Sequence, residues 1–131
     1  MDLVSIIMPY FNSEKFIEES VQSVIRQSYV HWELLICDDE SDDNSKEIIM
    51  SFVNLNSRIK LVSNHYSKGA PGARNSCLDE AKGRYIAFLD SDDIWLLEKL
   101  DKQLGFMNSN NFSFTYSYYE TMNVKGEVKS L

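Results

Sequence analysis

The sequence predicts an α/β domain built on a mostly parallel sheet flanked by helices. Three observations lead there. Short apolar runs alternate with amphipathic stretches along nearly the whole chain, in the order β-α-β-α-β-α-β-α-β. Two of those runs, ending at Cys37 and at Leu89, break abruptly into clusters of carboxylates. The composition is that of a soluble globular protein, with 44% hydrophobic and 25% charged residues, and the 131 residues suit one domain, 1–131, with one core.

The first strand is LVSIIM, residues 3–8, a nearly continuous β-branched run that fits a central strand covered on both faces, and Pro9 ends it. Asn12 or Ser13 is placed to cap the next helix, whose buried stripe is Phe16, Ile17, Val21, Val24 and Ile25. Residues 32–37, WELLIC, form the second strand, and the acids of residues 38–43 follow it directly. Asn44 and Glu47 have capping-box spacing, ahead of a helix that buries Ile48, Ile49, Phe52 and Val53. IKLV, residues 59–62, is a short third strand. After it, Gly69 and Gly72 permit close backbone approach, Pro71 suits a first helical turn, and Gly83 is placed as a C-cap. Tyr85 to Leu89 is the fourth, buried strand. Leu97, Leu100, Leu104 and Met107 mark a further amphipathic helix that residues 108–111 stop. Residues 112–119, FSFTYSYY, alternate aromatic with small polar residues and predict a half-buried strand, and a turn follows at residues 125–127.

Charge narrows the partners. With 13 basic and 20 acidic residues the net charge is −7, and no basic patch offsets it, so nucleic acid is not expected as a partner. Cys37 and Cys77 sit in apolar surroundings and read as buried thiols of a reducing compartment. The start lacks a basic n-region, so no signal peptide is expected, and no apolar run approaches the roughly 20 residues of a membrane span. A cytoplasmic location, peripheral to the inner face of the membrane, is the expectation.

The chemistry gathers at the strand ends. In open α/β sheets ligands bind in the crevice at the carboxyl ends of the strands. Residues 9–12, 38–43 and 90–93 should converge on that edge, with residues 68–75 beside them. Asp90 and Asp92, separated by Ser91, let one carboxylate meet a divalent cation while the other braces the site or holds a sugar hydroxyl. Ser and Asp are also preferred helix caps, and capping alone would explain some of these acids. The chain has neither a glycine-lysine phosphate loop nor a glycine-rich dinucleotide fingerprint, so phosphate charge would be met mainly by a metal.

Four blocks taken together, VSIIMPYFN, ICDDESDD, KGAPGARN and YIAFLDSDD, resemble the N-terminal, nucleotide-sugar-binding half of an inverting GT-A glycosyltransferase of family two. The resemblance spans residues 3 to 104 and implies a Rossmann-like GT-A sheet, open at its C-terminal end. It implies that Pro9 and Tyr10 line the nucleoside pocket with Glu14 near its rim. Asp39 would accept the imide hydrogen of uracil, and Lys68, Gly69 and Arg74 would lie beside the nucleotide. Asp90 and Ser91 would face the ribose and donor sugar, and Asp92, with Asp90, would hold the Mn2+ or Mg2+ that bridges the diphosphate. The implied donor is a UDP-sugar, and the acceptor is left open among a surface polysaccharide, a lipid-linked oligosaccharide and a protein. Glu40 departs from the family pattern, which often has glycine there, and Leu97 from a common proline. The family's catalytic base and acceptor site lie in a further half, and nothing in residues 112–131 supplies them. The chain is therefore expected to be a truncated or donor-binding half, inactive alone.

Two other classes compete. A phosphoacceptor receiver domain also uses an acidic crevice with Mg2+ on such a sheet, but there the acid pair follows the first strand, which here ends in Pro9 and Tyr10. A non-catalytic module could keep the fold and lose turnover. Trp32 and Trp95 are expected in the core, His31 and His65 in loops, and Arg74 either at the site or paired with Asp79 or Glu80. An exposed aromatic edge at residues 112–119 would leave a homodimer open.

Overall fold

The computed structural model describes residues 1–129, which divide into two compact units, residues 1–98 and residues 99–129. In the first, strands β1 (Val4–Tyr10), β2 (Trp32–Asp38), β3 (Ile59–Val62) and β4 (Tyr85–Phe88) make one parallel sheet in the order β3-β2-β1-β4. Helices α1 (Ile17–Ile25), α2 (Ser45–Leu55) and α3 (Ala70–Glu80) make the crossovers. The chain steps outward from β1 to β2 to β3, then returns past β1 to β4. Right-handed crossovers therefore put α1 and α2 on one face and α3 on the other. The direction reverses at β1, which makes its carboxyl end the expected ligand crevice.

Burial follows from that order. Every residue of β1 is buried, as are all of β2 except Asp38. Under α3, Ile7, Leu35, Cys37 and Val62 pack with Ala73 and Cys77. Cys37 and Cys77 are free, buried thiols as expected, and burial first, then neighbouring charge, pushes them up to about 11 and about 12. Trp32 and Trp95 are also buried.

Pro9 does not end β1, which continues to Tyr10. The ladder explains why a proline is tolerated in this central strand. The Ile7 carbonyl accepts from Leu89 on the β4 side and the Tyr10 carbonyl from Asp39 on the β2 side. Backbone groups alternate along a strand, so Pro9, like Ile7, turns toward β4, whose pairing has already stopped at Phe88. The missing N–H falls where no partner is needed.

The caps also differ from expectation. Helix α1 begins only at Ile17, where the Ser13 carbonyl, not a side chain of Asn12 or Ser13, accepts the first N–H groups. At α2 no capping box forms between Asn44 and Glu47; Asp43 takes the Ser45 N–H and hydroxyl instead. Gly83 is not a C-cap, because α3 stops at Glu80. It is needed for another reason: a Cβ there would stand 2.5 Å from the Ser5 nitrogen. Strand β4 is not buried throughout, since Ile86 and Phe88 are exposed. It is the outermost strand on its side of this sheet.

The second unit contains α4 (Lys99–Asn110), ended by Asn111 in the left-handed region at φ 55°, and a hairpin of β5 (Thr121–Met122) and β6 (Val128–Lys129). Gly126, at φ 83°, makes the expected turn between them. Residues 112–119 form no strand, contrary to the alternation in the sequence, and Phe112, Phe114, Tyr116, Tyr118 and Tyr119 are exposed. Alternation specifies a face to bury, and among the described residues no strand pairs with this stretch. No helix among the described residues is long and apolar enough to cross a membrane.

Candidate functional site

The loops after β1 and β2 are stapled together. The Asn12 N–H donates to Ser41 Oγ at 2.9 Å, and the Asp42 N–H donates back to Asn12 Oδ1 at 2.9 Å. Glu14 and Asp43 repeat the exchange: the Glu14 N–H donates to Asp43 Oδ2, and the Asn44 N–H to Glu14 Oε2. Glu14 thus braces the two loops. Pro9 is buried, and Tyr10 is only 2% exposed with no partner for its hydroxyl. Burial, and then the charge of Asp38, pushes the Tyr10 phenol above its ordinary range. The adjacent Phe11, which the sequence reading passed over, is 54% exposed and has Lys68 Nζ 6.0 Å from its ring centroid. The signal was available in the two-residue period: if β1 continues through Pro9, neighbours 10 and 11 must point opposite ways.

Asp39 stands beside this aromatic. Its N–H donates to the Tyr10 carbonyl, and its Oδ1 accepts the Gly69 N–H at 2.7 Å. Gly69 adopts φ 129°, open to glycine and costly for other residues. Glu40 takes the left-handed region at φ 62°, so the turn that glycine would favour is kept without glycine, and its carboxylate lies 3.2 Å from Lys68 Nζ. A cavity of about 330 Å³ opens along these loops, lined by Tyr10, Asp38, Lys46, Asn64, Tyr66 and Lys68 among others.

On the other side of β1, the turn after β4 carries the remaining acids. Ser91 faces inward: its Oγ is 2.6 Å from Ser13 Oγ, and its carbonyl accepts from Ser20 Oγ at 2.8 Å. The Asp93 N–H closes the turn onto the Asp90 carbonyl. With Ser91 pinned inside, Asp90 and Asp92 are left exposed. Arg74 Nη2 lies 3.3 Å from Asp90 Oδ1, so Arg74 turns to the crevice and not to Asp79 or Glu80. Burial, and then the charges of Asp92 and Asp90, raises the Asp93 carboxyl. A second cavity, of about 390 Å³, is lined by Arg74, Phe88, Asp90 and Asp93.

The chemistry of the donor set suits a hard divalent ion, because Asp90 and Asp92 offer exposed carboxylate oxygens. Among the described residues no group of three or more His, Cys, Asp or Glu side chains could hold a metal by itself. An ion here would complete its shell with substrate phosphates and water, as Mg2+ commonly does.

Comparison with known proteins identifies the family. A family model described as glycosyl transferase family 2 matches residues 5–128. The Escherichia coli protein WfgD, named a UDP-Glc:alpha-D-GlcNAc-diphosphoundecaprenol beta-1,3-glucosyltransferase, is 54% identical over 121 residues, 92% of this chain and 47% of its own length. The Bacillus subtilis protein TuaG, named a putative teichuronic acid biosynthesis glycosyltransferase, is 44% identical over 92% of this chain and 48% of its own. The chain thus spans about half the length of these curated relatives. Among solved structures, S. aureus TarS in complex with UDP superposes with a TM-score of 0.74 at 31% identity, covering 82% of this chain and 32% of that one. TarS has also been crystallised with UDP-GlcNAc. The parallel sheet, the acidic strand-end loops and the family match over nearly its whole length lead to one conclusion: this chain belongs to glycosyl transferase family 2.

Proposed function

We propose that these residues are the donor-binding half of an inverting, metal-dependent glycosyltransferase that uses a UDP-sugar. The observation that carries the reading is the pairing of two braced carboxylates at the crevice: Asp39 held by Gly69 beyond β2, and Asp90 held by Arg74 beyond β4, with β1 between them. UDP and UDP-GlcNAc bound to TarS, at 31% identity, support the choice of uridine.

In this reading the Asp39 carboxylate accepts the imide N–H of uracil, and the exposed Phe11 ring offers the base a stacking face. Pro9 and Tyr10 act from below as the buried floor of the loop, and Lys68 and Gly69 fix the far side of the pocket. Arg74 orients Asp90 toward the ribose and sugar. Asp90 and Asp92 would hold Mn2+ or Mg2+, and such an ion would supply positive charge to offset that of the diphosphate. Ser91 acts indirectly, by anchoring the turn that presents both acids. The base that deprotonates the acceptor lies outside these residues, since Glu120 is exposed and Glu127 is bonded into the β5–β6 turn through Asn123. The name of WfgD supports a choice of acceptor class: a lipid-linked sugar diphosphate receiving a β-linked sugar. A β linkage made from an α-configured nucleotide sugar is an inversion.

Thermal unfolding with UDP, with and without Mn2+ and again with a chelator, tests the proposal. Ligand at 100 times its Kd adds about 2.7 kcal/mol of stability. The expected result is a rise in Tm that needs the metal, prefers UDP to GDP or ADP, and disappears in Asp92→Asn. No rise with any nucleotide would leave the acids as helix caps and turn braces of a non-catalytic module.

A further inference from the structure

Phe88 is the last residue of β4, and it is 57% exposed although the strand belongs to the sheet. Its register tells which way it faces. Phe88 stands opposite Ile7 in the β1–β4 ladder, and Ile7 packs against Ala73 and Cys77 of α3. Residues in register on neighbouring parallel strands share a face. Helix α3 packs across β1 and β2, so Phe88 lies on the same face as α3, one strand further out. The space beside it is the open cavity of about 390 Å³ lined by Arg74, Phe88, Asp90 and Asp93.

That lining combines one flat aromatic face, two carboxylates and a guanidinium. A purely apolar ligand would cover Asp93 and the Arg74–Asp90 ion pair without offering either a hydrogen bond. A bare phosphate would meet both carboxylates. A pyranose ring satisfies every group: its patch of C–H bonds sits on the negative face of an aromatic ring, and its neighbouring hydroxyls donate to carboxylate oxygens. The position fits as well, because the cavity shares Asp90 with the proposed diphosphate site, and the sugar of a nucleotide donor is attached to that diphosphate. We infer that Phe88 is the stacking platform for the hexose of the donor, with Asp93 accepting its hydroxyls and the Arg74–Asp90 pair closing the side. The inference rests on the donor-binding reading above and adds to it the residues that read the sugar. Phe11 and Phe88 then divide the ligand, the first taking the base and the second the hexose.

Titration of the chain with UDP and with UDP-glucose in Mg2+, combined with saturation-transfer NMR, tests this. The variants are Phe88→Leu, which keeps apolar volume and removes the ring face, and Phe88→Trp, which restores a ring; circular dichroism checks that both fold. The expected result is hexose C–H saturation in the wild type and in Phe88→Trp. In Phe88→Leu that saturation is lost and the Kd for UDP-glucose rises roughly three- to tenfold, while the Kd for UDP is unchanged. Hexose saturation and UDP-glucose affinity in Phe88→Leu equal to wild type overturn the inference. Saturation of uracil but not of the hexose in the wild type overturns it too and leaves the donor site standing. Absence of any uracil signal in the wild type removes the donor site itself, and the platform with it.

Discussion

The Asp39 carboxylate accepts the Gly69 N–H at 2.7 Å, tying the acidic loop after β2 to the residue just before α3. Gly69 makes this bond while holding φ 129°, a conformation open to glycine and costly for other residues. Gly69→Ala should therefore cost about 1–3 kcal/mol in denaturant unfolding, the usual range for a residue forced into a sparsely populated region. Asp39→Ala should behave differently. It leaves the backbone conformation free but loses the Gly69 bond, so stability falls by up to about 1.5 kcal/mol, while UDP affinity falls about 10- to 100-fold, as expected for losing a charged hydrogen bond of about 1.5–3 kcal/mol to the ligand as well. Unfolding curves and UDP titrations on both variants separate the two roles.

Glu40 offers the opposite case. It holds φ 62° without being glycine, and its ion pair with Lys68 is exposed on both sides, 62% and 71%. A left-handed residue other than glycine costs about 1–2 kcal/mol, whereas an exposed ion pair contributes about 0–1 kcal/mol. Glu40→Gly should relieve the first and lose the second, against the extra entropy glycine gives the unfolded chain. The net expectation is a variant as stable as the parent or up to about 1 kcal/mol more stable, read from the midpoint of urea unfolding. A loss of more than that would mean the turn is built on the carboxylate and not on the backbone angle.

Most of the sheet was legible in the sequence because β1 and β2 are buried on both faces, and continuous apolar runs such as VSIIM and ELLIC have no other reading at that length. The acids at Asp39, Asp90 and Asp92 were legible for a related reason: a carboxylate directly after a buried run must emerge at the sheet's end. What failed depended on partners. Residues 112–119 have the strand alternation but no paired strand among the described residues. Which of Tyr10 and Phe11 faces the crevice turned on whether β1 stops at Pro9, and that is settled by where β4 ends. The resemblance implies a ligand contact for Ser91, but Ser13 and Ser20, distant in sequence, draw it inward.

Gly72 reports on how closely α3 must approach the loop before it. A Cβ there would stand 2.1 Å from the Ser67 carbonyl oxygen, a backbone atom that cannot swing aside. Gly72→Ala must push the 66–67 backbone or the first turn of α3 outward, at the roughly 1–3 kcal/mol typical of overpacking. Because Arg74 rides on that turn, its 3.3 Å contact with Asp90 should also loosen. The measurable signature is a joint fall in Tm and in UDP affinity. Gly105→Ala in α4, where an added Cβ meets nothing within 4 Å, should leave Tm unchanged or raised.

Glu33 makes stability depend on pH at the edge of the sheet opposite the crevice. Its buried carboxylate accepts from Ser5 Oγ at 2.6 Å, from the Lys82 N–H at 2.8 Å and from Lys60 Nζ at 3.3 Å. Burial pushes its carboxyl upward, but the hydrogen bonds from Ser5, Lys82 and Lys60 outweigh that and hold it below the ordinary value of 4.5. A group depressed in the folded state contributes stability above its unfolded pKa and loses it as pH falls through the folded one. The contribution is therefore complete at neutral pH and declines below about 4.5. Glu33→Gln turns an amide NH2 or a weaker acceptor toward these donors and should cost about 1–3 kcal/mol at pH 7. Its deficit should shrink as the wild-type carboxylate protonates, so unfolding free energies measured from pH 7 down to pH 3 should converge. A deficit that stays constant over that range would mean the carboxylate's charge contributes nothing, and that Ser5 and Gly83, joined by a 2.8 Å hydrogen bond, hold the entry to β4 without it.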